Sequence, residues 1–144
     1  MILQQSRTKK LVNLIPPVNS ILPLHAAASG KILMAGLPDP LLNLYLEYMN
    51  FEPFTMHTIK NREEYIKVIE QTRQDRYAID CYESVENAFC IAVPITKDNG
   101  ETIASLSFSG IIGLFNKTIL DHYLPILRNA AKEISQNLFQ VYQD

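Results

Sequence analysis

Between Ala88 and Ser109 two alternating runs of residues are joined by Lys97-Asp98-Asn99-Gly100, and this leaves little choice of fold for that part of the chain. Asn99-Gly100 supplies residues that tolerate positive φ, so Ala88–Ile95 and Thr102–Ser109 are predicted to pair as an antiparallel hairpin. Alternate residues of a strand point to opposite faces. One face then carries Phe89, Ile91, Val93 and Ile95 with Ala104, Leu106 and Phe108, and is core. The other carries Ala88, Cys90 and Ala92 with Ser105, Ser107 and Ser109. A solvated sheet surface usually bears Lys, Glu, Thr or Arg; short groups here leave room above the sheet and imply a covered cavity. The alternative is that the serines form a wetted polar face or lie under a packed helix.

Spacing divides the rest of the chain. Arg7–Asn19 reads as an edge strand, because its apolar residues stop at Pro16-Pro17, which cannot donate ladder hydrogen bonds. Met1–Ser6 has nothing to bury and is expected to be disordered or left from a longer parent. His25–Ala35 is alanine-rich, with Ala28, Ile32 and Ala35 on one stripe of a short helix. Gly30 costs about 1 kcal/mol inside a helix relative to alanine, so its use is close approach of another backbone or of a ligand. Asp39 can cap a second helix with Pro40 at its first position and Leu41, Leu44, Tyr45 and Tyr48 inward. Asn61 and Glu64 have capping-pair spacing, and Tyr65, Ile66, Ile69 and Thr72 continue a third helix to about Asp75. Tyr77–Glu83 is a further strand. From Asn116 a long amphipathic helix places Leu120, Tyr123, Leu124, Leu127, Ala131, Ile134, Leu138 and Val141 on one side; Pro125 either kinks it or starts its regular part. Strands grouped together and helices grouped apart argue α+β and disfavour a doubly wound parallel sheet.

A chain of 144 residues, 47% hydrophobic and 19% charged, fits one globular domain. It buries roughly two-thirds of its unfolded surface, so it needs no disulfide or metal to fold. Cys81 and Cys90 read as thiols in a reducing compartment, or alternatively as one local bridge. A formal charge of -2 argues against a phosphate-binding surface, so this chain does not grip nucleic acid by itself. No apolar run approaches a membrane span and no secretory signal opens the chain, which points to the cytoplasm.

Asp80 lies mid-strand, where a carboxylate is disfavoured and costly to bury unless hydrogen-bonded. Either it faces water from an edge strand, or it shares a pocket with Cys90, Ser107 and Ser109, whose donors could satisfy it. Burial would then raise its pKa and make it a carboxyl donor toward an acidic ligand. Near the first helix start, Ala28, Ser29 and Gly30 leave backbone N–H groups open to a small carboxylate, with Lys31 adding positive charge; tight packing is the commoner use of such residues. Cys90 or Ser107 with His25 and Asp80 would make a catalytic set only if brought together, and no nucleophile elbow, phosphate loop or dinucleotide fingerprint occurs. No catalytic residue and no cofactor is expected. His25, His57 and His122 are scattered, so no metal site is expected either.

Three stretches now stand out: Leu22-Pro23-Leu24-His25-Ala26-Ala27-Ala28-Ser29-Gly30-Lys31; Tyr77-Ala78-Ile79-Asp80 through Cys90-Ile91-Ala92-Val93-Pro94-Ile95; and Ser105-Leu106-Ser107-Phe108-Ser109-Gly110. With the paired Thr55 and Thr58 and the closing Ala130–Ser135, they resemble the effector-binding domain of the IclR family of bacterial transcription regulators, over roughly Leu11 to Leu138. The resemblance implies a GAF/PAS-like α+β fold, a curved antiparallel sheet flanked by helices with a ligand pocket on one sheet face. It implies a small organic acid held by the backbone amides of Ala28 and Ser29 and by the side chains of Asp80, Cys90, Ser107 and Ser109. Leu22, Leu24 and Leu33 would line the rest of the pocket. Residues 1–144 would be the sensor domain of a homodimer or homotetramer, with DNA contacted only through a winged helix-turn-helix domain absent from this chain. Two positions depart from the family pattern, which usually has glycine at Asn87 and often Gly-Tyr at Arg76-Tyr77; Ala28 is glycine in some relatives.

Overall fold

Gly100 adopts φ 84° and donates its N–H to the Lys97 carbonyl, closing the turn between β2 (Ala88–Thr96) and β3 (Thr102–Ile111). The coordinates are a computed structural model that describes residues 1–6, 16–111 and 115–140, with side chains to residue 138. Of the strand expected over Arg7–Asn19, residues 7–15 lie outside the described residues, and residues 16–19 lead into a turn rather than a strand, as two successive prolines without N–H donors favour. Ile2 exchanges backbone hydrogen bonds with Asn19 and Ser20. The described elements run α1 (Ala28–Ala35), α2 (Asp39–Tyr48), α3 (Arg62–Asp75), β1 (Ala78–Cys81), β2, β3 and α4 (Lys117–Gln140). The described strands form an antiparallel sheet in the order β1-β2-β3, so the fold is α+β.

The register sorts side chains as alternation requires. Ile91 opposes Phe108, Val93 opposes Leu106 and Ile95 opposes Ala104, and this face packs against Leu127 and Ala131 of α4. Asn116 caps α4 by accepting the Ile119 N–H, and Pro125 lies inside the helix rather than at its start. The opposite face meets α1, whose Ala28 and Ile32 pack on Ala78, Ala92 and Cys90. Helices therefore cover both faces of the sheet.

Alpha1 comes this close because of Gly30. A Cβ there would lie 2.6 Å from both the Cα and the carbonyl oxygen of Leu24, so the expected close backbone approach is what the position provides. The other face of α1 joins a second core, in which Met34, Leu42, Leu46, Ile59, Tyr65 and Ile69 pack together. Arg73 of α3 ties off the end of α1, donating to the carbonyls of Ala35 and Leu37 and pairing with Asp39. Asn61 caps α3 by accepting the Glu64 N–H.

Two expectations for α2 are corrected. Pro38 is the N-cap and Asp39 the first helical residue, its carboxylate on Arg73 rather than on its own backbone. The buried residues are Leu42 and Leu46, whereas Leu41, Leu44, Tyr45 and Tyr48 are 45–79% exposed. The segment is apolar on both flanks, so helical spacing defines two stripes and cannot choose between them. Contact with Tyr65 and Ile69 chooses the Leu42–Leu46 stripe.

Candidate functional site

Beneath α1, strand pairing assembles a row of functional groups. Asp80 of β1 lies opposite Cys90 of β2, which lies opposite Ser109 of β3. Ala78, Ala92 and Ser107 form the next row on the same face. The Ser109 hydroxyl donates to the Cys90 sulfur at 3.4 Å. Burial pushes the Cys90 thiol up to about 11, with the Ser109 and Ser107 hydroxyls acting the other way. Cys90 is therefore a neutral thiol at physiological pH and a poor nucleophile. Cross-strand partners share a face, so Cys81, opposite Phe89, and Cys90, opposite Asp80, point to opposite sides of the sheet. Both are free, and the alternative of a local bridge is excluded.

Asp80 is buried, not an edge charge facing water. Its donors differ from those expected. Oδ1 accepts the N–H groups of Glu83 at 2.8 Å and Ser84 at 3.2 Å, and Oδ2 takes the Ser84 hydroxyl. The carboxylate thus closes the turn that follows its own strand, a local bond that Asp favours. Burial raises its pKa, against the Ser84 and Glu83 hydrogen bonds and the charge of Lys31.

Lys31 is only 1% exposed. Its ammonium donates to the Ile79 carbonyl at 2.8 Å and to Glu83 Oε1 at 2.5 Å, so it ties α1 to β1 and to the turn beyond. Thr58 holds the Glu83 backbone from the other side, donating its hydroxyl to the Glu83 carbonyl at 2.6 Å while accepting the N–H groups of Phe54 and Thr55. Sequence reasoning placed Lys31 nearby but missed Glu83 and Ser84. The available signal was an Asp followed three and four residues later by residues whose N–H groups it can accept.

Alpha1 packs on this face through Ala28 near its start and Ile32 one turn on. Its N-cap, Ala27, has no side chain to satisfy the first turn, and the first hydrogen bond of the helix is Lys31 N–H to the Ala27 carbonyl. The N–H groups of Ala28, Ser29 and Gly30 precede it and have no intrahelical acceptor. Ala28 and Ile32 form one buried cluster with Ala78 and Ala92, and Cys90 packs against it. The cover is partial: α1 buries Ala78 and Ala92, whereas toward β3 Ser105 and Ser109 are half-buried and Ser107 is exposed. The fully covered floor expected from the short side chains is thus not formed at Ser107.

Leu24 lies elsewhere. It packs against the core between α1, α2 and α3 and lines a groove of about 630 Å³ with Leu41, Leu44, Tyr45, Tyr48 and Phe54. Leu22 and Leu33 are half-buried. His25 is also turned away, its Nε2 2.9 Å from the Glu52 carbonyl and its ring against Phe51 and Phe54. A Cys90–His25 pair is not assembled. Among the described residues no group of three His, Cys, Asp or Glu side chains is placed to hold a metal.

The family profile described as "Bacterial transcriptional regulator IclR C-terminal" matches residues 1–136. The chain belongs to this family. It is 34% identical over 117 residues to the HTH-type transcriptional regulator XynR of Escherichia coli K12, a match covering 81% of this chain and 46% of XynR. Among solved structures it is similar to the C-terminal domain of the E. coli transcriptional regulator KdgR, with TM-score 0.75 and 34% identity over 79% of this chain and 70% of that one. It is also similar to the inducer-binding domain of Acinetobacter PobR, a double mutant in complex with 3-hydroxybenzoic acid, with TM-score 0.79 and 27% identity over 90% and 77% of the two chains. The chain spans about half the length of the curated relatives it matches, 46% of XynR and 51% of the AllR repressors. No helix among the described residues is long and apolar enough to cross a membrane.

In this IclR-family chain the two departures from the family's glycines fall where the backbone is left-handed. Arg76, the C-cap of α3, has φ 57°, and Asn87, in the turn before β2, has φ 61°. Both turns form without glycine. Asn pays little for this conformation; Arg pays more.

Proposed function

We propose that this chain is the ligand-sensing unit of an IclR-type transcription regulator, binding a small organic acid without changing it. The observation that carries this reading is the convergence of Asp80, Cys90 and Ser109 in one cross-strand row beneath the uncapped start of α1. A ligand carboxylate would take the amides of Ala28 and Ser29, where free N–H groups and the helix dipole favour negative charge. Ser107, Ser109 and Cys90 would bond its remaining oxygens, with Asp80, held by the Glu83 and Ser84 donors, closing the row beside them. Leu22 and Leu33 complete the proposed lining; the placement of Leu24 in the α1–α3 core favours a structural role for it. The working assembly is a cytoplasmic homodimer or homotetramer, and DNA is read by a winged helix-turn-helix unit outside residues 1–144. Ligand acts there only through its affinity difference between DNA-competent and incompetent arrangements.

Thermal shift against a panel of small keto and hydroxy acids, including pyruvate, lactate and 3-hydroxybenzoate, tests the reading. One acid should raise the melting temperature and be recovered unchanged. Ser107→Ala and Ser109→Ala should each weaken that stabilisation by about 1 kcal/mol, a typical hydrogen-bond contribution. Turnover of the acid, or no response to any acid, overturns the proposal.

A further inference from the structure

Around the proposed site the charges do not balance. A single ammonium, Lys31, serves two largely buried carboxylates, Asp80 and Glu83, which sit three residues apart on one turn. Of the carboxylate oxygens Lys31 bonds only Glu83 Oε1; Glu83 Oε2 is buried without a hydrogen-bond partner. The other titratable groups near the cluster are Tyr65 from α3, Cys81 from β1 and Cys90 from β2, with His57 stacked on Tyr82. Tyr65 is held neutral by burial and by Glu83, and both thiols are pushed up by burial. Neither the phenol nor the thiols add positive charge. With both carboxylates ionised the cluster carries one net negative charge in a poorly solvated place, and a carboxylate ligand at Ala28 and Ser29 would bring a second.

We infer that the Lys31–Asp80–Glu83 cluster couples binding of a carboxylate ligand to uptake of one proton from solvent, so that anion and proton enter the site together. The inference rests on the ligand site proposed above. The proton belongs to the carboxylate pair rather than to either residue, because two interacting acids titrate jointly. Glu83 Oε2 offers an unpaired oxygen for it, while both Asp80 oxygens already accept hydrogen bonds. Burial raises the pKa of both groups in the free protein, Lys31 opposing in each case. An approaching anion raises them further. The sign follows: affinity is highest in mild acid, where the ligand is ionised and the pair holds its proton, and falls as pH rises.

Calorimetric titration of the whole chain with pyruvate, lactate and 3-hydroxybenzoate, each in phosphate and in imidazole buffer at neutral pH, where the free cluster has a proton still to take up, reads the proton directly. Binding enthalpies should differ between buffers by the amount for uptake of about one proton per ligand, with affinity falling toward tenfold per pH unit above that pH. Glu83→Gln keeps a hydrogen-bond acceptor for Lys31 but removes one charge, and should bring the uptake close to zero. Binding with equal enthalpies in both buffers overturns the coupling and leaves the ligand site standing. Unchanged uptake in Glu83→Gln overturns the cluster as its seat; if that variant does not fold, the wild-type buffer pair decides alone. If none of the acids binds, the ligand site fails and the coupling with it.

Discussion

Phe89 and Cys90 are neighbours in β2, yet they enter different environments. Phe89 meets Phe108 and Phe115 on a face sealed by α4 and contributed almost wholly by carbon. Cys90 meets a serine, a buried aspartate across the strand and the start of a helix. The first face contributes hydrophobic stabilisation. The second gives up that contribution, for its residues are small and partly wet, and gathers groups that can recognise a polar guest. The contrast shows how one sheet separates folding from recognition: alternation assigns each function to its own side.

Breaking the cluster beneath α1 should have the largest effect. Lys31→Met leaves Glu83 buried without its counter-ion and should cost about 3–5 kcal/mol at neutral pH by urea denaturation. The loss should shrink on acidification. A carboxyl whose folded pKa is raised favours the folded state when protonated, so stability lost as pH rises through that pKa returns as pH falls. An equal loss at all pH values would mean that Lys31 acts by packing alone. On the sealed face, Ile91→Ala should cost about 2–4 kcal/mol from lost burial and the cavity left behind. A clearly smaller loss would mean that α4 collapses onto the space.

Arg76→Gly should raise stability by up to about 1 kcal/mol, since it relieves a left-handed residue at an exposed helix end. No gain in melting temperature would show that the Arg76 backbone is not strained. The smallest effect is expected for Ser107→Ala in unliganded protein, within about 0.5 kcal/mol, because this serine is exposed. A loss near that of Ile91→Ala would erase the distinction between the faces.

The hairpin and the sorting of its faces were legible because turn chemistry and two-residue alternation are local properties. The same holds for Asn61 as a helix cap and for the use of Gly30. The face of α2 was not legible: Leu41, Leu44, Tyr45 and Tyr48 follow helical spacing as well as Leu42 and Leu46 do, and contact with α3 decided between them. The bonds of Asp80 were missed for the opposite reason. Long-range partners were sought for it among the serines, while Glu83 and Ser84 satisfied it three and four residues away.

What the residue order determined by itself was which groups share a side of each strand, where turns and caps occur, and therefore that a thiol and three hydroxyls would line one face of the hairpin. Only the tertiary structure decided that Asp80 joins that face, that Lys31 is buried across it and pairs with Glu83, that His25 turns away toward Phe51 and Phe54, and that Ser107 stays exposed. Neighbour relations along a strand follow from backbone geometry. The placing of one element over another follows from packing between residues far apart in the chain, and no local pattern encodes it.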